Sequence, residues 1–136
     1  MKTLLNKNNI VCTIISHTPY CLDNNNEIVG LGSTVEEIDY LGKIFKKIYH
    51  CAPFFKLDSP KSYLKHKSRN VQLVPLKPMG GPRFKQKLDH ILFFPFNLKI
   101  IRSCLEKSNF IHFRAPTGIG VLLLPWIYLF WKKNIW

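Results

Sequence analysis

The run from Ile10 to Ser16, IVCTIIS, constrains this chain more than any other stretch. It is almost unbroken in apolar, β-branched residues. A strand with one face in water alternates polar and apolar positions, so a run without alternation reads as a strand covered on both faces. Such strands lie inside sheets with helices above and below.

The remaining pattern agrees. A polar loop, HTPYCLDNNNEIVGLG, follows the first strand. Apolar residues then recur at Val35, Ile38, Leu41, Ile44 and Ile48, which predicts a helix over residues 33–48. Ser33 and Glu36 predict a capping box at its start. Glu36 and Glu37 would then sit at its positive end, with Lys46 and Lys47 at its negative end. KIYHCAPF predicts a second strand stopped by Pro53. VQLVPL, from Val71 to Leu76, predicts a peripheral third strand, because Pro75 has no N–H to give to a ladder. Residues 84–107 read as a helix kinked or broken at Pro95. FIHF, from Phe110 to Phe113, predicts a fourth strand. GIGVLLLPWIYLFW predicts a very apolar helix interrupted by Pro125, and KKNIW leads towards a further strand. This alternation predicts an α/β fold: an open, mostly parallel Rossmann-like sheet flanked by helices, as one domain over residues 1–136.

Composition narrows the function classes. Hydrophobic residues make up 46% and charged residues 21%, which is globular rather than disordered. The net charge of +12 attracts anions: nucleic acid, nucleotide phosphates or an anionic bilayer. No zinc finger, RNP pattern or helix-turn-helix supports nucleic acid. The basic runs 56–69 and 77–87, interleaved with Phe84, Phe93, Phe94 and Phe96, predict contact with an anionic membrane surface. Cys12, Cys21, Cys51 and Cys104 have no metal-ligand spacing, so no metal site is expected and a reducing, cytoplasmic setting is. The start, MKTLLNKNNIVCTIIS, lacks the form of a signal peptide, and VLLLPWIYLFW is too short to span a bilayer.

In open α/β sheets ligands gather at the carboxyl ends of the strands. That predicts a site built from His17 to Tyr20, Pro53 to Lys56 and Arg114 to Gly118. Within it, His17 and Tyr20 are candidates for contact with an acceptor or other substrate, as are Thr117 and Gly118 where the next helix opens. His112 and Arg114, two apart in a strand, share a face. One offers a hydrogen bond to a hydroxyl and the other a charged fork to phosphate or carboxylate. They are the candidate catalytic pair. GLGS, with Gly30 and Gly32, lacks the spacing of a dinucleotide fingerprint or P-loop and reads as a turn before a helix.

The buried first strand, the HTPY loop, the helix and then FKKIYHCAP together resemble the start of GT-B glycosyltransferases, above all the family-4-like group. NFIHFRAPTGIG resembles that group's D-x-x-H-x-H/R-x-P, with His112 and Arg114 on matching positions and Asn109 where Asp is usual. The resemblance implies transfer of a sugar, with retention, from a nucleotide-sugar donor to a glycan or lipid-linked acceptor, without a metal or other cofactor. It implies that these residues form the N-terminal, acceptor side of a cleft. In that group the donor is held chiefly by a second, C-terminal domain carrying an E-x7-E pattern, which this sequence lacks. The expectation is therefore a partial glycosyltransferase domain, inactive alone. Two other readings stay open: a small basic α/β module binding an anion or nucleotide, and a membrane-surface interaction protein.

Overall fold

The computed structural model describes residues 9–79, 84–114, 118–130 and 134–135. In chain order the elements are β1 (Val11–Ile15), β2 (Tyr20–Leu22), β3 (Ile28–Leu31), α1 (Gly32–Leu41), β4 (Lys47–Asp58) and β5 (Tyr63–Leu64). Then come β6 (Val71–Leu76), α2 (Phe84–Glu106), β7 (Phe110–Phe113), α3 (Gly118–Phe130) and β8 (Asn134–Ile135). The fold is α/β with a mixed sheet. Pairings β1–β4, β1–β7, β2–β4, β4–β6 and β7–β8 are parallel, while β2–β3 and β3–β5 are antiparallel.

The strand β1 is covered on both faces, as its composition requires. Cys12 and Ile14 pack with Ile38 of α1 and Ile48 of β4. Ile15 points to the other face, into a cluster with Ile101 and Leu105 of α2 and Leu123 and Ile127 of α3. The sheet is thus sandwiched between α1 and the pair α2, α3. The period-two alternation of β1 assigns its side chains to the two layers.

Several sequence expectations need correction. The helix α1 starts at Gly32 after Leu31, with no side-chain cap, so the Ser33–Glu36 capping box does not form. Its first N–H is taken by the Ser62 carbonyl at 3.1 Å. A Cβ on Gly32 would stand 2.8 Å from that oxygen, so glycine permits the contact. The helix also ends early. Asn70 Nδ2 donates to the carbonyls of Gly42 (2.7 Å) and Phe45 (2.8 Å), closing the helix end and freeing Ile48 for β4. Lys46 and Lys47 therefore lie beyond the helix, and Glu36 and Glu37 lie past its first turn.

The polar loop after β1 contains two strands, β2 and β3. Asp23 Oδ1 accepts from the N–H groups of Asn25 and Glu27, both at 2.8 Å, and Asn26 adopts φ 59°. These side-chain contacts fold the Asn-rich segment into a hairpin. Pro53 does not stop β4 either. In the β1–β4 ladder the last bond runs from the Ser16 N–H to the Cys51 carbonyl, 3.1 Å. The next would come from residue 53 to Ser16, and proline has no N–H. Pro53 ends the ladder with β1, while β4 continues and pairs with β2 from Phe54. From Ile15 to Tyr20 is five steps, but from Cys51 to Phe54 is three, and the surplus forms the Ser16–Pro19 excursion.

Other expectations are met. Among the described residues β6, with Pro75, pairs with β4 alone. The chain after α3 enters β8, parallel to β7. The prolines, by contrast, do not divide the helices: α2 runs through Pro95 as one element and α3 runs through Pro125. Among the described residues no helix is long and apolar enough to cross a membrane.

Candidate functional site

The strands β1 and β7 are parallel neighbours, with Ile15 opposite Phe113, so Ser16–His17 and Arg114 leave adjacent strand ends. Arg114 is fixed there twice. Its N–H donates to the Ile15 carbonyl at 3.0 Å, and its Nη2 meets Glu37 Oε2 of α1 at 2.9 Å. Its Nη1 is buried and has no hydrogen-bond partner among the described residues. A buried guanidinium nitrogen left unpaired carries a real cost, which an anionic or carbonyl ligand would relieve.

His112 is half-buried. Burial lowers its pKa below the ordinary imidazole value; the Glu37 carboxylate opposes this, and Arg114 adds to it. A neutral His112 offers hydrogen bonds rather than charge. Arg114 and Glu37 thus both lie close enough for their charges to bear on His112, and Glu37 is a neighbour that composition and spacing did not single out.

His17 is exposed. With Ser16, Pro53, Leu76, Lys77 and Met79 it lines a small cavity of about 10 Å³ at the ends of β1 and β6, beside Pro53 within β4. One edge of this cavity is held by Asn97 of α2. Its Oδ1 accepts from the Lys77 N–H (2.9 Å) and its Nδ2 donates to the Lys77 carbonyl (3.0 Å). Lys77 Nζ lies over the Phe96 ring, 4.2 Å from its centroid. Gly118 begins α3; Thr117 lies outside the described residues.

Tyr20, expected to touch substrate, is wholly buried instead. Its hydroxyl lies 3.1 Å from His50 Nδ1 and 2.8 Å from His66 Nε2. His50 Nε2 in turn lies 2.7 Å from Ser16 Oγ, and His66 Nδ1 lies 2.8 Å from Asp39 Oδ1. The result is an unbroken file of side chains: Ser16, His50, Tyr20, His66, Asp39. It runs beneath α1 from the carboxyl end of β1 to the loop before β6.

Burial sets the charge states along this file. It drives the His50 pKa down to about 3, with the charges of His66 and Arg114 adding to the effect. It raises the Tyr20 phenol well above its ordinary value, reinforced by Asp39 and opposed by Arg114. Burial also works to raise the Asp39 carboxyl. Hydrogen bonds from the Lys67 N–H, His66 and the Ser68 N–H outweigh it and hold Asp39 below its ordinary value.

Sequence reasoning missed this file. His50 lies within an apolar strand and His66 within a basic loop that reads as solvated surface. A signal was available: a histidine inside a fully covered strand must find partners for both ring nitrogens. Among the described residues no group of three or more His, Cys, Asp or Glu could hold a metal ion. No family model matches the chain, and neither a curated protein nor a solved structure does.

Proposed function

We propose that the chain is the acceptor-side domain of a glycosyltransferase of GT-B type, close to the family-4-like group. It works at the cytoplasmic face of a membrane on a glycan or lipid-linked acceptor. The observation that carries this reading is Arg114, at the end of β7 beside the end of β1, with a buried Nη1 unpartnered among the described residues. A glycosyl donor is a sugar on a diphosphate, and its departure leaves negative charge. Fixed positive donors at a sheltered strand end stabilise that charge more than solvated ones do.

Two further features support the reading. The parallel strands β6, β4, β1, β7 and β8 lie in that spatial order, while the chain visits β1, β4, β6, β7 and β8. Chain direction across the sheet thus reverses between β1 and β7, the usual place for a ligand in a Rossmann-like sheet. The sequence stretch NFIHFRAPTGIG, with its glycosyltransferase resemblance, falls on that same strand end. In this reading Arg114 and His112 face the sugar-phosphate, and His17 meets the acceptor. The donor, in this reading, is held mainly by a second, C-terminal domain, as in the family-4-like group.

The test is ligand-observed NMR on the purified chain with two probes. One is a monosaccharide linked to polyprenyl phosphate in micelles; the other is a panel of free nucleotide-sugars. The expected result is binding of the first, weakened at least tenfold by His17→Ala, and little binding of the second. Tight nucleotide-sugar binding with no response to the lipid-linked sugar would overturn the acceptor-side reading. It would favour a basic nucleotide-binding module.

A further inference from the structure

We propose that Ser16, His50, Tyr20, His66 and Asp39 form a proton relay, which takes the proton of a hydroxyl-bearing ligand at the carboxyl end of β1 and delivers it to His66. The identity of that ligand as a sugar acceptor rests on the function proposed above.

The argument begins with what each group can donate. Asp39 is ionised and only accepts, so His66 Nδ1 must carry a proton and give it to Asp39 Oδ1. With His66 neutral, its Nε2 is then an acceptor, and the Tyr20 hydroxyl donates to it. The Tyr20 oxygen in turn accepts from His50 Nδ1–H. His50 Nε2 is left as an acceptor, and the Ser16 hydroxyl donates to it. One ionised carboxylate therefore fixes the direction of four hydrogen bonds and selects the Nδ1–H tautomer of both histidines.

With His66 protonated, every bond between Ser16 and His66 reverses. His66 Nε2–H donates to Tyr20, Tyr20 donates to His50 Nδ1, and His50 Nε2–H donates to Ser16. Tyr20 and both histidines keep every bond in both states, and in the second state the Ser16 hydroxyl turns its proton to the ligand oxygen at the cavity. The two arrangements differ by a single proton, and passage between them needs only short shifts along bonds already formed.

The balance for a ligand R–OH is as follows. R–OH gives its proton to Ser16 Oγ as the Ser16 proton passes to His50 Nε2. The His50 Nδ1 proton passes to Tyr20, and the Tyr20 proton passes to His66 Nε2. The products are R–O⁻, ready to attack an electrophilic carbon, and an imidazolium paired with the Asp39 carboxylate. His50 is never charged at rest, in keeping with its complete burial.

The two ends of the file suit entry and exit. Ser16 is 1% exposed but borders the 10 Å³ cavity with His17, which has the size of one water position. A ligand hydroxyl can therefore reach Ser16 directly or through a single bridging water. At the other end Asp39 borders a cavity of about 300 Å³ with Glu36, Lys43, Lys65, Lys67 and Ser68. The side chains of His66 and Asp39 are 12% and 14% exposed, so the delivered proton can leave to solvent there. Facing His66 are Asp39 from α1, Tyr20 from β2 and His50 from β4. Lys65 and Lys67 flank it in its own loop, and the Arg114 charge bears on Tyr20 and His50.

The experiment is a pH titration of the full chain labelled with ¹⁵N-histidine, read by long-range ¹H–¹⁵N couplings that distinguish tautomers. The expected result is that His50 stays neutral but changes from Nδ1–H to Nε2–H over the same pH range in which His66 gains its second proton. Tyr20→Phe keeps the ring and removes the link, so the His50 change should disappear. Asp39→Asn keeps the shape and removes the charge that supports the imidazolium, so the change should move to lower pH. This second variant serves if Tyr20→Phe fails to fold. A wild-type His50 that keeps one tautomer through the His66 titration overturns the relay, and so does an Asp39→Asn change at unaltered pH. Adding the polyprenyl-phosphate-linked sugar should shift the His50 signals. A coupled change that this acceptor leaves untouched keeps the relay and removes the acceptor reading of the cleft.

Discussion

Gly30 of β3 lies directly against the ring of Tyr20, its partner across the β2–β3 ladder; a Cβ at Gly30 would stand 2.5 Å from Tyr20 Cε1. The ring cannot move aside freely, because its hydroxyl is bonded to His50 and His66. Gly30→Ala must therefore push the ring off at least one histidine. We expect a loss of about 1–3 kcal/mol, the usual range for overpacking a core, read by urea unfolding. The His50 and His66 ¹⁵N signals should shift together. An unchanged midpoint would mean that the β3 backbone yields instead.

The layering of the sheet was legible in the sequence, but the side-chain file was not. IVCTIIS announces a strand covered on both faces whatever its neighbours are, since burial is written into its lack of alternation. The end of α1 was hidden, because its determinant, Asn70, is 28 residues away from Gly42. In the sequence Pro53 reads as the end of a strand. Its missing N–H acts on one edge only, and sequence alone does not tell which edge is occupied. The candidate pair His112 and Arg114 follows from strand periodicity. Glu37, which holds Arg114, comes from the helix lying above.

Acid should unfold the chain earlier than its carboxylates alone require. His50 takes a proton near pH 6.5 when unfolded but only near pH 3 when folded. Its folded value is depressed, so the unfolded state binds more protons between these limits. Stability from a neutral, buried His50 is full above pH 6.5 and falls as pH drops towards 3. His112 acts in the same direction. Asp39, also depressed, adds a loss as pH falls below its unfolded value of 3.8. Each pH unit spent in the His50 window costs about 1.4 kcal/mol. Urea midpoints measured from pH 7 to pH 4 should fall steadily, and His50→Gln should flatten the slope. A flat wild-type profile over that range would contradict the buried neutral state.

Glu37 competes with any anion for Arg114. Their contact, 2.9 Å long, is partly exposed on both sides, 28% and 48%, so it is worth less than about 1 kcal/mol. Glu37→Gln should therefore tighten binding of inorganic pyrophosphate by about two- to fivefold, while Arg114→Ala should abolish it. Calorimetry at low salt reads both. Equal affinities in all three proteins would show that pyrophosphate binds elsewhere on the basic surface.

The final prediction concerns the membrane. The helix α3 exposes Val121, Leu122, Leu124, Tyr128 and Leu129, and α2 exposes Leu88, Leu92 and Phe96. Beside these lie Lys77 and Lys99, both exposed, on a chain with net charge +12. Apolar side chains can enter the interfacial region while basic residues meet lipid phosphates. We expect the chain to co-sediment with vesicles containing anionic lipid, and the bound fraction to fall as salt shortens the range of the attraction. Leu129→Asp with Val121→Asp should weaken binding at every salt concentration, because it removes the apolar part. Lys99→Glu should weaken it mainly at low salt. The two variants thus separate the terms. Equal binding to neutral and anionic vesicles would remove the electrostatic term, and no effect of the α3 double variant would place the contact on another face.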